Sequence, residues 1–591
     1  MAKFLMRCVF TMFAEDVELL AGKPFQTALA EYRDDPAEFA ATMEELWRAM
    51  DEGRRFGLKK LLRFNGHFFR DASALPLTKA DLAVLFEAAR ADWKEVEPTI
   101  FGTLLTRALD PRERHKLGAE YTPRAYVERV VRQTVEVPIR DRWDPVQAEV
   151  IQLLQSGKKK DRATAEKRLR EFHAWLKSLR FLDPACGSGN FLYVTLLAVK
   201  RIELEVLREL WKLVHQAEIG ILEKAEGSEL GVEEVGPWQF HGIEIKPWAR
   251  EIAELTLWIG YHQFWMEHHR GTNPPEPVLR DTGTLEQRDA VLAWDEIVEV
   301  PEKSRPDPTP RIKHPVTGKL VPDPDARLPY CEYRGARQAE WPQADFIIAN
   351  PPYMGNKRMR EAFGDGYVDA LRLVYPAVPE VADYVMYWWH RAAKEVDSGS
   401  AIRAGLITTN SITQAFNRLV VQDAFTKGAE VIWAIPDHPW VNEGEGAAVR
   451  VAMTVIAQTP AHALLVQVDE RGEVVSERHV TRLNSDLTAH ADVASAAQQP
   501  LLSNVGVSSR GFTLVGRGFV LNDKEAQDLR ISNPDSASLI REYLNGRDFM
   551  GTPRRAFVVD FGMQTEFEAQ SHSVLYDLVR TRVRPERTAN S

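Results

Sequence analysis

Residues 181–192 begin as a short apolar run, pass through a turn with two glycines, and continue into a long amphipathic pattern. This order predicts a strand, a tight turn and a helix. Gly187 and Gly189 can adopt positive φ angles and allow close approach to the backbone, and the helix after them presents free N–H groups. The segment is therefore typical of α/β folds that bind a nucleotide-like cofactor.

Strands and helices alternate along the chain from about residue 111 to 460. The alternation predicts a doubly wound, Rossmann-like sheet of the α/β class. Residues 1–110 instead show helical apolar spacing, and residues 461–591 mix short strands, turns and a helix. We therefore expect a helical N-terminal domain, a central α/β domain and a C-terminal α+β region. Central strands are expected at 180–183, 240–244, 346–349, 404–408, 431–435 and 449–456.

Two segments add detail to this division into three regions. A proline-rich passage at about 300–330 interrupts the central domain, and because it has no apolar period that could fill a core, we expect a surface loop. Residues 463–469 and 474–480 flank the turn 470–473 and predict a β-hairpin at the start of the C-terminal region.

A second motif follows the expected strand 346–349, where the chain continues as Asn350, Pro351, Pro352 and Tyr353. The Asn350 side-chain oxygen and the carbonyl beside the fixed prolines can accept hydrogen bonds from an exocyclic NH2 group on a planar ring. Tyr353 can stack on that ring. These four residues therefore predict a site for group transfer to an amino nitrogen.

The glycine turn favours a nucleoside ligand without phosphates. It holds no basic residue, whereas a Walker loop needs a lysine for the pyrophosphate. The next expected strand ends in Glu244, an acid suited to the two hydroxyls of a ribose. Glu244 could also simply cap the strand, and Cys186 is better interpreted as a small turn residue than as a nucleophile.

Together these segments resemble the S-adenosylmethionine-dependent DNA adenine-N6 methyltransferases, and most closely the MmeI-like branch of restriction-modification and phage-defence enzymes. The likeness covers nearly the whole chain. Residues 117–123 are similar to the element that covers the methionine end of the cofactor in this group, and residues 277–284 to its third cofactor element. The resemblance implies catalytic roles for Asn350, Pro351, Pro352 and Tyr353. It implies cofactor contacts for Tyr121, Thr122, Asp183, Pro184, Ala185, Gly187, Gly189, Asn190, Phe191, Glu244, Ile245, Asp281 and Asn350.

The resemblance implies a site-specific DNA methyltransferase that transfers a methyl group from S-adenosylmethionine to the N6 amino group of a flipped adenine. Its implied partners are double-stranded DNA and other restriction or phage-defence subunits, in the cytoplasm. His438 and Trp440 are candidates for a second ring against the adenine. In that branch the chain leads into a target-recognition domain, so we expect this sequence-reading part to be incomplete here.

The formal net charge of −10 does not decide whether the chain binds DNA. Binding depends on where charge lies rather than on its sum. Lys357, Arg358 and Arg360 follow the Asn350 motif directly, so we expect them at the rim of the pocket that receives the base.

Three alternatives stay open. A bifunctional restriction enzyme would add a nuclease with an Asp…Glu-x-Lys core ahead of the helical domain. Glu244, Ile245 and Lys246 match three letters of that core, but they belong to the expected ribose-binding strand. A protein-glutamine methyltransferase would use the same Asn-Pro-Pro-Tyr chemistry, although such enzymes are compact. A scaffold subunit would have a broken motif, whereas this motif is intact.

Other chemistries lack support in the sequence. No Pro-Cys dipeptide offers the nucleophile of a cytosine-C5 methyltransferase. The three cysteines lie far apart, and the adjacent His268 and His269 point away from each other on one helix, so we expect no metal. Neither a signal peptide nor a membrane span is expected.

Overall fold

The chain forms two compact units in the computed structural model, Met1–Ala491 and Asp492–Ser591. Tyr121 and Asp281, two of the expected cofactor residues, lie outside the described residues. The structure describes residues 2–64, 67–94, 96–100, 102, 122–215, 234–268, 279, 282–307, 309–313, 320–440, 450–458, 462–491, 502–504, 514, 517–545, 548 and 554–590.

The N-terminal region is helical, as its apolar spacing predicts. Trp47 is fully buried there and donates its Nε1 hydrogen to Thr11 Oγ1 at 3.0 Å. Lys3 pairs with Glu251 at 2.7 Å, and the buried side chains of the first helix share one apolar cluster with the helix that contains Glu251. The region therefore packs within the first unit rather than apart from it. Its elements are α1 (Ala2–Asp16), α2 (Pro24–Glu31), α3 (Pro36–Glu52), β1 (Arg55–Phe56), β2 (Lys59–Lys60), α4 (His67–Arg70) and α5 (Lys79–Ala89).

The central part of the chain alternates helices and strands. Its helices are α6 (Arg124–Val131), α7 (Val137–Gln155), α8 (Lys159–Ser178), α9 (Asn190–His215), α10 (Pro247–His268), α11 (Asn356–Phe363), α12 (Asp365–Val374), α13 (Val385–Asp397) and α14 (Asn417–Lys427), with a π-helical turn at Arg132–Glu136. Its strands are β3 (Phe181–Asp183), β4 (Phe240–Glu244), β5 (Leu285–Gln287), β6 (Leu292–Ala293), β7 (Glu296–Glu299), β8 (Arg305–Pro306), β9 (Arg311–Lys313), β10 (Leu320–Pro322), β11 (Arg327–Leu328), β12 (Cys331–Arg334), β13 (Arg337–Gln338), β14 (Phe346–Ala349), β15 (Arg403–Thr409), β16 (Ala429–Pro439), β17 (Arg450–Gln458), β18 (Ala463–Val468) and β19 (Val474–Val480).

Nine of these strands form one sheet in the order β19-β18-β16-β17-β15-β14-β3-β4-β5. The strands from β15 to β5 run parallel, whereas β17 is antiparallel to both β15 and β16. All six central strands expected from the sequence are present, and the doubly wound α/β class is confirmed. Because β3, β4 and β14 are parallel neighbours, the segments that follow them meet at one edge of the sheet.

Alternate residues of these strands face two separate apolar layers. Phe181, Phe240 and Phe346 begin β3, β4 and β14 and stack on one another, with ring centroids 4.8 and 5.8 Å apart, in the layer that contains α9 and α10. Leu182 and Ile347 face the opposite layer with α13 and α14. Continuous apolar strands of this kind are typical of a parallel sheet covered on both faces.

The insertion at 300–330 is part of an ordered β-ribbon, so the prediction of a loop was wrong. β6 pairs with β13, β7 with β12, β8 with β11 and β9 with β10, all antiparallel and nested in one another. We call residues 292–338 the arm. Most of its strand residues are exposed or half-buried. A two-stranded ribbon that packs one side along a helix and leaves most of its side chains accessible needs no regular apolar period, which explains why the sequence pattern resembled a loop.

The hairpin predicted at 463–480 is present as β18 and β19, but it extends the central sheet. β18 pairs in parallel with β16, with Leu464 opposite Trp433 and Leu465 opposite Ala434. The first unit therefore continues to Ala491, beyond the boundary expected at 460. Period-two spacing shows that a strand exists, but it does not identify the strand with which it pairs.

The second unit is a small α+β assembly, the class expected for the C-terminal region. Its strands pair in the order β20-β22-β21 around a core that includes Leu521, Ile540, Val559 and Leu575. No described helix of either unit is long and apolar enough to cross a membrane. Its elements are β20 (Val520–Leu521), α15 (Asp523–Ser532), β21 (Ile540–Tyr543), β22 (Ala556–Val559), α16 (Glu566–Ala569) and α17 (Ser573–Asn590).

Candidate active site

The two glycines of the turn after β3 have different roles. Both have positive φ, 52° at Gly187 and 85° at Gly189. A Cβ added at Gly189 would lie 2.9 Å from the Cα of Ala253 in α10, so this glycine allows α10 to pack against the turn. A Cβ at Gly187 would meet no atom of the described residues within 4 Å. The open space beside the turn therefore lies at Gly187.

Two acids end the neighbouring strands β3 and β4 beside this turn. Glu244 accepts hydrogen bonds from the backbone N–H groups of Gly187 at 3.0 Å and Lys246 at 2.9 Å. Asp183 is 1% exposed and accepts from the N–H of Ala185 at 3.0 Å. Burial raises the pKa of the Asp183 carboxyl to about 8. A cationic ligand group beside Asp183 would favour its ionised form.

Thr122 connects the turn to the Asn350 motif. Its backbone oxygen accepts a hydrogen bond from Asn190 Nδ2 at 2.8 Å, and Asn190 is the first residue of α9. Its hydroxyl oxygen accepts from Asn350 Nδ2, also at 2.8 Å. Thr122 therefore bridges the glycine turn and the Asn350 motif, which are far apart in the sequence.

The Asn350 amide is held from both ends. Nδ2 donates to Thr122, and the hydroxyl of Tyr353 donates a short hydrogen bond to Oδ1. The following loop is anchored as well, because Asn356 N–H donates to Asp383 Oδ1 at 3.2 Å and the N–H of Tyr384 donates to the Met354 carbonyl at 2.9 Å. The motif is thus a fixed structure in which the orientation of the amide is defined.

Sequence patterns did not identify the residues that support this loop. Asp383 Oδ2 accepts from Ser411 Oγ at 2.7 Å and from Asn417 Nδ2 at 2.8 Å. Trp388, on α13, donates its Nε1 hydrogen to the Pro184 carbonyl in the glycine turn at 3.1 Å. These residues come from three separate segments and belong to no short motif, so only the fold shows their common role.

The remaining expected cofactor residues follow the neighbouring strands β3 and β4. Phe191 is buried at the start of α9, and Ala185 donates to Asp183 within the turn. The Ile245 side chain, directly after Glu244, is 58% exposed. An exposed apolar side chain at this position could cover one face of a planar ligand.

His438 and Trp440 do not form the second face of a base-binding slot in this structure. His438 is 1% exposed, and its Nε2 lies 2.7 Å from Arg129 Nη1. Trp440 is 4% exposed and perpendicular to Tyr353, with an interplanar angle of 86° and ring centroids 6.3 Å apart. Two rings that sandwich a base must be parallel. The prediction that His438 or Trp440 supplies the second ring is therefore wrong for the side-chain arrangement in this structure.

The three basic residues after the Asn350 motif differ in their surroundings. Arg360 pairs with Asp365 at 3.1 Å and with Asp369 at 2.7 Å on α12. Lys357 and Arg358 lie on the first turn of α11 and are exposed, with no ion pair to the described residues. The role of Lys357 and Arg358 at a pocket rim therefore stays a prediction, whereas the Arg360 side chain is bound by acids of α12.

The state of Cys186 argues against cysteine chemistry at this site. Among the described residues, no three His, Cys, Asp or Glu side chains converge in a group that could hold a metal ion. Cys186 is 5% exposed, and burial raises the pKa of its thiol well above the ordinary value. A thiol in this state is a poor nucleophile, which agrees with its interpretation as a small turn residue.

A nucleoside with a cationic side chain fits the groups around the turn. Gly187 leaves open space, Glu244 has two carboxylate oxygens beside it, and Asp183 is a buried acid. Asn190 Oδ1 is buried and accepts no hydrogen bond from the described residues. An unsatisfied buried acceptor of this kind calls for a donor on the ligand.

Comparison with known proteins gives consistent results. The MmeI DNA-methyltransferase domain matches residues 158–467, and the MmeI helicase spacer domain matches residues 1–69. DNA methyltransferase A of Bacillus subtilis (strain 168) is 22% identical over 469 residues, which cover 76% of this chain and 45% of that protein. The chain thus spans less than half the length of this curated relative.

A solved structure shows the same fold. The type IIL restriction-modification enzyme MmeI, in complex with DNA, is 21% identical, with a TM-score of 0.70 over 100% of this chain and 72% of that chain. The methyltransferase-domain match alone covers more than half of the chain and includes both the glycine turn and the Asn350 motif. The chain therefore belongs to the MmeI family of DNA methyltransferases.

Proposed function

We propose that this chain transfers a methyl group from S-adenosylmethionine to the N6 amino group of an adenine turned out of double-stranded DNA, in restriction-modification or phage defence. The observation that carries the proposal is the double contact of Thr122, which joins the first residue of α9 to Asn350. A methyl donor beside the glycine turn and an amine at Asn350 would then be neighbours. Direct displacement requires this proximity.

The residues around the turn would hold the cofactor. Glu244 suits the two ribose hydroxyls, while Asp183 and Asn190 Oδ1 suit the ammonium group of the methionine part. When bound, S-adenosylmethionine supplies a methyl carbon attached to a positively charged sulfur. The acids of the site favour such a cation electrostatically. Tyr121 and Asp281 remain proposed cofactor contacts on the basis of the family resemblance.

Asn350 prepares the adenine amino group for attack. A carbonyl oxygen can accept two hydrogen bonds, so Oδ1 can accept one from the amine while Tyr353 donates the other. The lone pair of an aromatic amine is delocalised into its ring. Acceptors at the N–H groups localise that pair and stabilise the positive charge that develops on nitrogen.

Bringing the base to this site has an energetic cost. Turning a base out of a duplex costs a few kcal/mol. Stacking on an aromatic side chain contributes about 1–3 kcal/mol, and Tyr353 is half-buried beside Asn350. The tyrosine can therefore offset a substantial share of the cost.

Methyl incorporation tests the proposal. The full chain is incubated with tritiated S-adenosylmethionine and, separately, with adenine-unmethylated bacterial DNA, tRNA and cell protein. We expect label in DNA, identified by mass spectrometry as N6-methyladenine. Label as N4-methylcytosine would overturn the adenine assignment, and label in protein alone would favour glutamine methylation.

Thr122→Val tests how the Asn350 amide is oriented. Valine keeps the backbone oxygen that binds Asn190 but removes the hydroxyl that fixes Asn350, so the amide can rotate away from the amine. We expect kcat to fall about 10- to 100-fold, because a small misplacement of a reacting group costs about that much. Steady-state kinetics gives kcat, and titration calorimetry gives the cofactor Kd, which should change little.

Thr122→Ser is the matched control, since it restores the hydroxyl without the methyl group. This variant should recover most of the lost kcat. Equal loss in the serine and valine variants would contradict the prediction, because serine keeps the hydroxyl that binds Asn350 and valine keeps only the methyl group.

A further inference from the structure

The arm is fixed along α12 by contacts that occur in the same order on both elements. Gln338 Nε2 donates to the Val374 carbonyl at 2.8 Å, near the base of the arm. Farther out, the Tyr330 hydroxyl donates to Asp369 at 3.1 Å, and Arg305 pairs with Asp365 at 2.7 Å. The arm therefore runs along α12 from the last turn of this helix towards its first.

The end of α12 that the arm reaches is joined to α11, the helix that follows the Asn350 motif. Asp365, the first residue of α12, is separated from α11 only by Gly364, and Arg360 of α11 pairs with the same two acids that hold the arm. α11 itself begins at Asn356, three residues after Tyr353. The arm, α12 and α11 thus form one connected assembly, and α11 follows the Asn350 motif directly in the chain.

Charge is distributed unevenly along the arm. In its inner half the cations have acidic partners: Arg334 contacts Glu296 at 3.6 Å, and Arg337 contacts Asp295 at 2.7 Å. In its outer half, Arg311 and Lys313 of β9 are exposed and form no ion pair with the described residues. The outer end therefore carries positive charge that is available to a ligand.

The two outer cations lie on one face of the ribbon. Arg311 stands opposite Pro322 and Lys313 opposite Leu320 in the β9–β10 register, while Ile312 and Val321 lie on the other face. Residues two apart in a strand point to the same side. Neither cross-strand partner is a charged residue, and the two cations share one face, so both can contact the same anionic partner.

We propose that Arg311 and Lys313 of the arm, together with Lys357 and Arg358 of α11, bind backbone phosphates of duplex DNA beside the target adenine. This inference rests on the proposed function. A two-stranded ribbon fits the major groove in size, and the phosphates supply the complementary charge. Side chains that contact phosphates position a protein on DNA without reading its sequence. The arm would thus hold the duplex during base flipping.

The test compares two double variants of the full chain. Arg311→Ala/Lys313→Ala removes the outer cations, and Arg334→Ala/Arg337→Ala, the matched control, removes two arginines paired within the same arm. Binding to a labelled duplex of about 40 base pairs is measured by fluorescence anisotropy at several salt concentrations. The expected Kd of the outer variant is about tenfold higher, and the slope of log K against log salt is smaller in magnitude by about 2. The control is expected to match the unmodified chain.

Equal affinity and equal salt slope in the outer variant and the unmodified chain would overturn the proposal, as would an equal loss in the control. Circular dichroism of both variants verifies that the fold is retained. The measurement is independent of turnover. A chain that binds DNA through the arm but incorporates no methyl group would keep this inference and refute the proposed function.

Discussion

Asn350→Ala is expected to lower kcat for methyl transfer about 1000-fold or more, with little change in the Kd of S-adenosylmethionine. The alanine removes the proposed acceptor for the adenine amino group and also the contacts to Thr122 and Tyr353. Loss of one fixed hydrogen-bonding group at a reacting centre costs about 100- to 1000-fold in other enzymes, and the released tyrosine adds to the effect. Single-turnover methylation of DNA measures the chemical step directly.

Glu244→Ala provides the complementary control. Glu244 lies at the glycine turn rather than in the Asn350 motif, and its carboxylate accepts hydrogen bonds from the N–H groups of Gly187 and Lys246. This variant should bind the cofactor more weakly and recover turnover at high cofactor concentration. Full turnover in Asn350→Ala would refute the catalytic assignment, and a large loss of cofactor affinity in it would show that Asn350 acts mainly in binding the donor.

Lys200→Met is expected to lower the free energy of unfolding by about 3–5 kcal/mol. Lys200 is 2% exposed on α9 and pairs with Glu203 at 2.8 Å and Glu234 at 2.5 Å. Methionine fills a similar volume but leaves two carboxylates without their cation. His173 contacts Glu203 at 2.8 Å from α8, so the disturbance reaches a second helix. Guanidinium unfolding followed by tryptophan fluorescence measures the change.

The same helix offers a matched control. Lys212 pairs with Glu209 at the same distance of 2.8 Å, but its side chain is 38% exposed. Exposed pairs contribute about 0–1 kcal/mol, so Lys212→Met should leave the unfolding midpoint almost unchanged. Similar effects of the two substitutions would mean that the cluster around Lys200 is hydrated in solution.

Local patterns predicted the strands well because each buried strand is an apolar run bounded by a turn. The bounds of β4 and β14 coincide with the expected ones, and the glycine turn and the Asn350 motif follow their strands as expected. The arm and the last hairpin were misjudged for one reason. Both depend on which strand pairs with which, and pairing partners distant in sequence leave no local signal.

The residues of the candidate site also differ in whether the local sequence could identify them. Residues in short motifs, such as Glu244 and Asn350, could be identified from neighbours in the sequence. Asp383, Asn417 and Trp388 could not, because they act through contacts with loops far away along the chain. The positions of His438 and Trp440 were misjudged because ring orientation depends on packing against Tyr126 and Arg129.

The hairpin of β18 and β19 determines where the chain can be truncated without exposing the edge of the central sheet. Ala463, Leu465 and Val466 of β18 are buried, and β18 covers the outer side of β16. A truncated protein ending at 460 would leave β16 with unpaired backbone groups beside an apolar surface. Exposed strand edges of this kind promote intermolecular strand pairing and aggregation. Production of the catalytic portion alone therefore requires a terminus after residue 491.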